Sequence, residues 1–206
     1  RVMHRGIGID PGTFSFDISG LEGDQLFLDT TIPSAQVAAN PEVLVEVLQA
    51  ASPVDMIVGP SGYGLPWVRI QDLEPYQVDL LVLSEERDQG KEAIVGGMRR
   101  MLQVLKESGL PILFAPAVIY LSTVPAHRKV NRIDMGTADK LCAVVLGVWD
   151  QSRRLKIAYE ETSFIFVELG GAFTAMMNVE KGKVVDGLGG TSGCLGYLSL
   201  GAMDGE

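Results

Sequence analysis

Two acids in this chain each close an apolar strand and stand just ahead of glycine. One is Asp10, in GIGIDPGTFSFDISG (residues 6–20), and the other is Glu168, in FVELGGAFTAMMNVEKGKVV (residues 166–185). A tight glycine turn exposes consecutive backbone N–H groups with little side chain in the way, a concavity that favours anions. An acid at the strand end can hold a hydrated divalent cation over the same anion. The chemistry this suits is phosphate binding. Gly12 and the Thr13 hydroxyl would act in the first turn, Gly170 and Gly171 in the second, with Asp10 and Glu168 as the metal-holding acids. Either turn alone is more often a plain hairpin connection. The recurrence, each time between strands and each time followed by a third strand, argues for a two-sided clamp.

The elements that must position these turns follow from periodicity and punctuation. RGIGID (5–10), TFSFDIS (13–19) and DQLFLDTTI (24–32) read as an antiparallel meander with tight turns. Asn40 and Pro41 start a helix whose Leu44, Val47, Leu48 and Ala51 share one side, and VDMIVG (54–59) is a buried strand. Residues 59–76 are rich in Gly and Pro and read as a long loop, followed by VDLLVLS (78–84) as a strand or short buried segment. A helix from Lys91 to Ser108 carries Ile94, Met98, Met101, Leu102 and Leu105 and stops at Gly109 and Pro111; PILFAPAVI then returns as a buried parallel strand. TADKLCAVVLGVWDQ (137–151) is apolar on all sides and is expected between two layers, as a divider. Beyond it come the strand ending at Glu168, the strand AFTAMMNVE, a Lys-Gly hairpin turn and the strand KVVDGLG.

Composition limits the partners. The 206 residues are 47% hydrophobic, enough for a sizeable core, and 17 basic against 26 acidic residues give a net charge of −9. No Lys/Arg stripe is present, so a nucleic-acid partner is not expected. No apolar run reaches the roughly 18 residues that span a bilayer, so a membrane is not expected either. Cys142 and Cys194 form no spaced framework, which fits a reducing, cytoplasmic setting. GxxxxGK[ST], GxGxxG and HExxH motifs are absent, and GPSGY at 59–63 lacks the final glycine of a nucleophile elbow.

Asp139, in the first turn of the 137–151 helix, suits the helix dipole, whereas Lys140 opposes it. Either a positive side chain is wanted near a substrate, or Lys140 is simply solvated. HRKVNR (127–132) could likewise supply a cation for a substrate carboxylate or lie idle on the surface.

IGIDPGTFSFDI and FVELGGAFTAMMNVEKGKVV resemble the first and second phosphate motifs of the superfamily of actin, sugar kinases, acetate kinase and the large heat-shock chaperones. With RIDMGTADKL and DGLGGTSGCLGYLSLGAMDGE, the chain looks more narrowly like a family known as predicted butyrate kinases. Glu168 departs from the Asp of many members. The resemblance implies an α/β fold with ATP in a cleft between two ribonuclease H-like lobes. The first lobe would join three antiparallel strands to parallel ones over residues 1–133. A helix and linker over 134–160 and part of a second, incomplete lobe over 161–206 would follow.

It further implies ATP and Mg²⁺ as cofactors, with phosphoryl transfer to a small acceptor such as a short-chain carboxylic acid, or else a nucleotide-gated binding protein without kinase activity. Gly189, Gly190 and Thr191 would add to the nucleotide site, Ser61 and Tyr63 would join Asp139 and Lys140 at the acceptor, and Asp10 would be the catalytic acid. Because the sequence ends soon after Gly171, this piece is expected to bind ATP weakly unless a continuation or a second copy, as a homodimer, covers its last sheet.

Overall fold

The computed structural model describes residues 4–12, 14–59, 64–82, 92–171, 173–189 and 192–201. They form two compact units, 1–115 and 116–206. The sequence reading ended the first lobe at 133. Val118 and Val124 instead join the second unit's core, with Met135, Leu141, Val144, Ala175, Met177 and Val179.

In the first unit, β1 (Arg5–Pro11), β2 (Ser15–Glu22) and β3 (Gln25–Pro33) form the antiparallel meander. β4 (Met56–Val58) and β6 (Ile112–Phe114) extend it in parallel, and the short β5 (Val68–Arg69) closes it antiparallel, giving the order β3-β2-β1-β4-β6-β5. This is the expected mixed α/β sheet. Along β1, Ile7 and Ile9 are buried while Gly8 and Asp10 are exposed, the period-2 alternation of a strand. The core face therefore fixes Asp10 on the opposite side.

Four helices accompany this sheet. α1 (Ser34–Ala39) is a short helix that the sequence reading did not contain. α2 (Glu42–Ala50) buries Leu44 and Leu48, with Val47 and Ala51 packed partly against the same core, as the spacing indicates. α3 (Pro75–Val82) replaces the strand expected at 78–84. Its start has helical chemistry: Pro75 opens the first turn, and the Gln77 side chain accepts the Glu74 N–H at 2.8 Å. α4 (Glu92–Glu107) buries Met101, Leu102 and Leu105 and ends at Gly109, whose φ of +68° suits glycine.

In the second unit, β7 (Phe164–Leu169), β8 (Phe173–Glu180) and β9 (Lys183–Leu188) form a second antiparallel meander, and β10 (Cys194–Leu195) also pairs with β8. Lys181 and Gly182, at φ +50° and +71°, form the β8–β9 turn with the left-handed pair that a type I′ hairpin needs. The short α5 is Ala126–Lys129.

α6 (Ala138–Leu155) is not the all-round buried divider anticipated. Ala138, Leu141 and Val144 are buried at helical spacing, whereas Val145 and Leu146 are 59% and 62% exposed. The helix buries one stripe, and Gly147 brings it against Phe164, with a hypothetical Cβ only 3.1 Å from that ring. Among the described residues, no helix is long and apolar enough to cross a membrane.

Candidate functional site

The two acid-ended hairpins share a local geometry that sequence similarity only hinted at. In the first, a Cβ built on Gly12 would lie 2.8 Å from the Ser15 carbonyl oxygen, so the turn closes only because that position has no side chain. In the second, a Cβ on Gly170 would lie 2.6 Å from the Phe173 carbonyl oxygen. In each hairpin the tight glycine stands two residues after the acid, and the carbonyl it approaches begins the next strand. Gly170 is thus the counterpart of Gly12. Gly171, the next residue, has ordinary room: the nearest neighbours of a Cβ there would be Leu198 at 3.4 Å and Tyr197 at 3.6 Å.

Both turns are braced from outside. Ser34, at the head of α1, donates its hydroxyl to the Gly12 carbonyl at 2.9 Å and its N–H to the Phe14 carbonyl at 3.0 Å. The N–H groups of Tyr197 and Leu198 donate to the carbonyls of Gly170 and Gly171 at 3.2 and 2.9 Å. The Gly12 N–H is itself committed to the Ser15 carbonyl at 2.8 Å, so Gly12 contributes closure of the turn and not an open donor. Thr13, Ser61, Tyr63, Gly190 and Thr191 lie outside the described residues.

Glu168 does not stand alone. Lys140, in the first turn of α6, forms ion pairs with Glu168 and with Asp139, the latter at 2.9 Å, and lies 6.0 Å from the Phe173 ring. Asp139 and Lys140, neighbours in the chain, are therefore brought together with Glu168 within the second unit. Burial works against the Lys140 ammonium, yet its hydrogen bonds to Glu168 and Asp139 and their charges outweigh that, holding its pKa above the usual lysine value. Among the described residues, no three His, Cys, Asp or Glu side chains converge as a ready-made metal site.

Asp134 is the residue that sequence reasoning missed. It is 2% exposed, its Oδ1 accepts the Gly136 N–H at 2.7 Å, and its buried Oδ2 has no hydrogen-bond partner. Burial pushes its carboxyl above the ordinary carboxylate range, the nearby Asp139 charge adds to this, and the Gly136 bond and Lys140 oppose it. The signal available was an acid inside the otherwise apolar-and-glycine run IDMG.

This run interlocks with the end of β9. A Cβ on Gly187 would lie 2.0 Å from the Met135 carbonyl oxygen, and one on Gly189 3.2 Å from the Gly136 Cα. Gly189 is therefore accounted for by close backbone packing. Of the basic cluster at 127–132, Arg128 is ion-paired with Asp186 and Lys129 donates to the Leu121 carbonyl at 2.7 Å. Both are engaged within the unit.

The raised Asp134 pKa has a stability consequence. As pH rises, the unfolded chain ionises at this residue before the folded one does, so stability is lost through that window. Asp134→Asn never ionises. The variant should melt above wild type at about pH 8, with the gap closing at about pH 3, where both side chains are neutral. Thermal melts at the two pH values check this; an equal gap at both would mean that Asp134 titrates alike in the folded and the unfolded chain.

The family described as "Protein of unknown function (DUF1464)" matches residues 8–206. No curated protein matches the chain. Among solved structures, acetate kinase from Entamoeba histolytica is similar at a TM-score of 0.57 and 11% identity, covering 98% of this chain and 60% of that one. An acetate kinase from Porphyromonas gingivalis is similar at a TM-score of 0.49 and 12% identity, over 92% of this chain and 57% of its own. A propionate kinase from Francisella tularensis follows at 0.48 and 13%, over 96% and 58%. The chain thus spans less than two thirds of the length of these kinases. At such identities the likeness to the Entamoeba enzyme is one of fold.

Proposed function

The chain belongs to the DUF1464 family of proteins of unknown function, and from that premise we propose that it is an ATP-dependent phosphotransferase acting on a small acceptor, a short-chain carboxylic acid. The observation that carries this reading is the repeated turn: an acid, a glycine two residues later pressed on the carbonyl that starts the next strand, and an external brace, once in each unit. Single hairpins have no reason to share such detail. A fold held in common with an acetate kinase supports the same reading, as does the resemblance of both stretches to phosphate motifs. The finer family label, butyrate kinase, rests on the resemblance alone.

Phosphoryl transfer asks chiefly for positioning and for neutralisation of charge on the transferred group. Mg²⁺, usually held by one or two carboxylates plus phosphate oxygens, would supply that neutralisation. Asp10 fits such an ion. It is a hard oxygen donor held outward at the end of β1 by the burial of Ile7 and Ile9. Glu168 is the acid ahead of the other turn, and its carboxylate is taken up by Lys140. A carboxylate acceptor is already a nucleophile and needs no base, leaving Asp10 to orient; an alcohol would need Asp10 to take its proton. Ser61 and Tyr63 would sit at the acceptor.

The test is the full-length protein with Mg-ATP and a panel of short carboxylic acids and alcohols. Many ADP molecules released per chain with a carboxylic acid is the expected result. Stoichiometric ATP binding with no turnover on any acceptor would replace the kinase by a nucleotide-gated binding protein.

A further inference from the structure

Lys140 occupies an electrostatically awkward place. The N-terminal turn of an eighteen-residue helix carries partial positive charge, which favours anions and opposes a lysine. What holds the ammonium there is the pair of carboxylates, Asp139 on the same turn and Glu168 at the end of β7. The three groups are mostly shielded, at 17%, 27% and 33% side-chain exposure. The Phe173 ring beside them belongs to the first residue of β8, so the ion pair lies alongside the second glycine turn. Five residues ahead of Asp139, and within reach of the Asp139 and Lys140 charges, the buried Oδ2 of Asp134 has no hydrogen-bond partner. An arrangement built only for stability needs neither a cation at a helix N-terminus nor an orphaned carboxyl oxygen within reach of its charge.

We propose that Lys140 is a displaceable counter-ion. It keeps Glu168 and Asp139 neutralised while the site is empty, and moves onto phosphate when a polyphosphate arrives with its divalent cation, which takes over the carboxylates. The exchange is balanced: one ammonium leaves two carboxylates for phosphate oxygens, and a divalent cation replaces it. The helix N-terminus favours the incoming anion by the same physics that disfavours the resting lysine. This inference rests on the nucleotide reading above and names the side chain that gates it.

The experiment uses the full-length protein without acceptor. Mn²⁺ alone is titrated by paramagnetic resonance, and inorganic tripolyphosphate by calorimetry. Lys140→Met should bind Mn²⁺ about tenfold more tightly, because its internal competitor is gone, and tripolyphosphate about tenfold more weakly. Lys140→Arg, which keeps the charge, should stay near wild type on both. Glu168→Gln should do the reverse of Lys140→Met, tightening tripolyphosphate and weakening Mn²⁺, and serves if the methionine variant does not fold. Folded variants with a lower melting temperature but unaltered affinities for both probes would make the cluster a structural ion pair and overturn the proposal. Unaltered probe affinities beside normal ATP turnover would remove this gate and leave the kinase standing. Shifted affinities without turnover on any acceptor would do the opposite.

Discussion

Asp10→Asn should lower phosphoryl transfer by about a thousandfold while the protein still folds. The two halves of that result have separate causes. Asp10 is exposed on a strand whose inward residues, Ile7 and Ile9, carry the packing, and its β1–β2 register with Asp17 is a backbone matter. Asparagine has the same shape and can keep that register. What it cannot keep is the negative charge that would orient the metal or the acceptor near the transferred phosphate. ADP release under saturating Mg-ATP, measured beside a thermal melt, reads both halves. Turnover within a few fold of wild type in a folded variant would take Asp10 out of the chemistry.

Gly187→Ala unfolds or loosens the second unit, at a cost of about 3 kcal/mol or more. The new Cβ would sit 2.0 Å from the Met135 carbonyl oxygen, and both atoms are backbone-fixed, so no side-chain rotation relieves the clash. Separating the strands would pull the IDMG run, with Asp134 and the head of α6, away from β9. Gly97→Ala in α4 is the control, since a Cβ there meets nothing within 4 Å. Removing glycine from a helix interior should make that variant slightly more stable. Denaturant midpoints for the two variants check the prediction; similar midpoints would show that the close approach at Gly187 yields easily.

Local chemistry was legible in the sequence and long-range pairing was not. The β1–β3 meander, the Lys181-Gly182 turn and the Gly109 stop of α4 each depend on residues adjacent in the chain, as does the place of Asp10 at the end of a strand just ahead of glycine. α3 was misread because a short apolar run fits a strand and a buried helix equally, although Pro75 and Gln77 carried the helical start. α6 was misread because its apolar residues encircle it in sequence while the buried stripe is Ala138, Leu141 and Val144, and Val145 and Leu146 stay exposed. The pairing of Lys140 with Glu168 joins residues on separate elements, which no local pattern encodes. The same holds for the choice of Gly170 over Gly171, which is decided by a carbonyl three residues on.

The central claim is that the acid-ended glycine turns bind phosphate, and the most direct measurement is Mg-ATP affinity by calorimetry on full-length wild type, Gly12→Ala and Gly170→Ala. Each substitution forces a Cβ onto a backbone carbonyl and opens its turn. The account predicts that wild type binds Mg-ATP and that each substitution alone weakens binding about tenfold or more, with both variants still folded. ATP affinity unchanged in both folded variants would contradict it, because a turn that binds phosphate cannot be opened without loss of affinity.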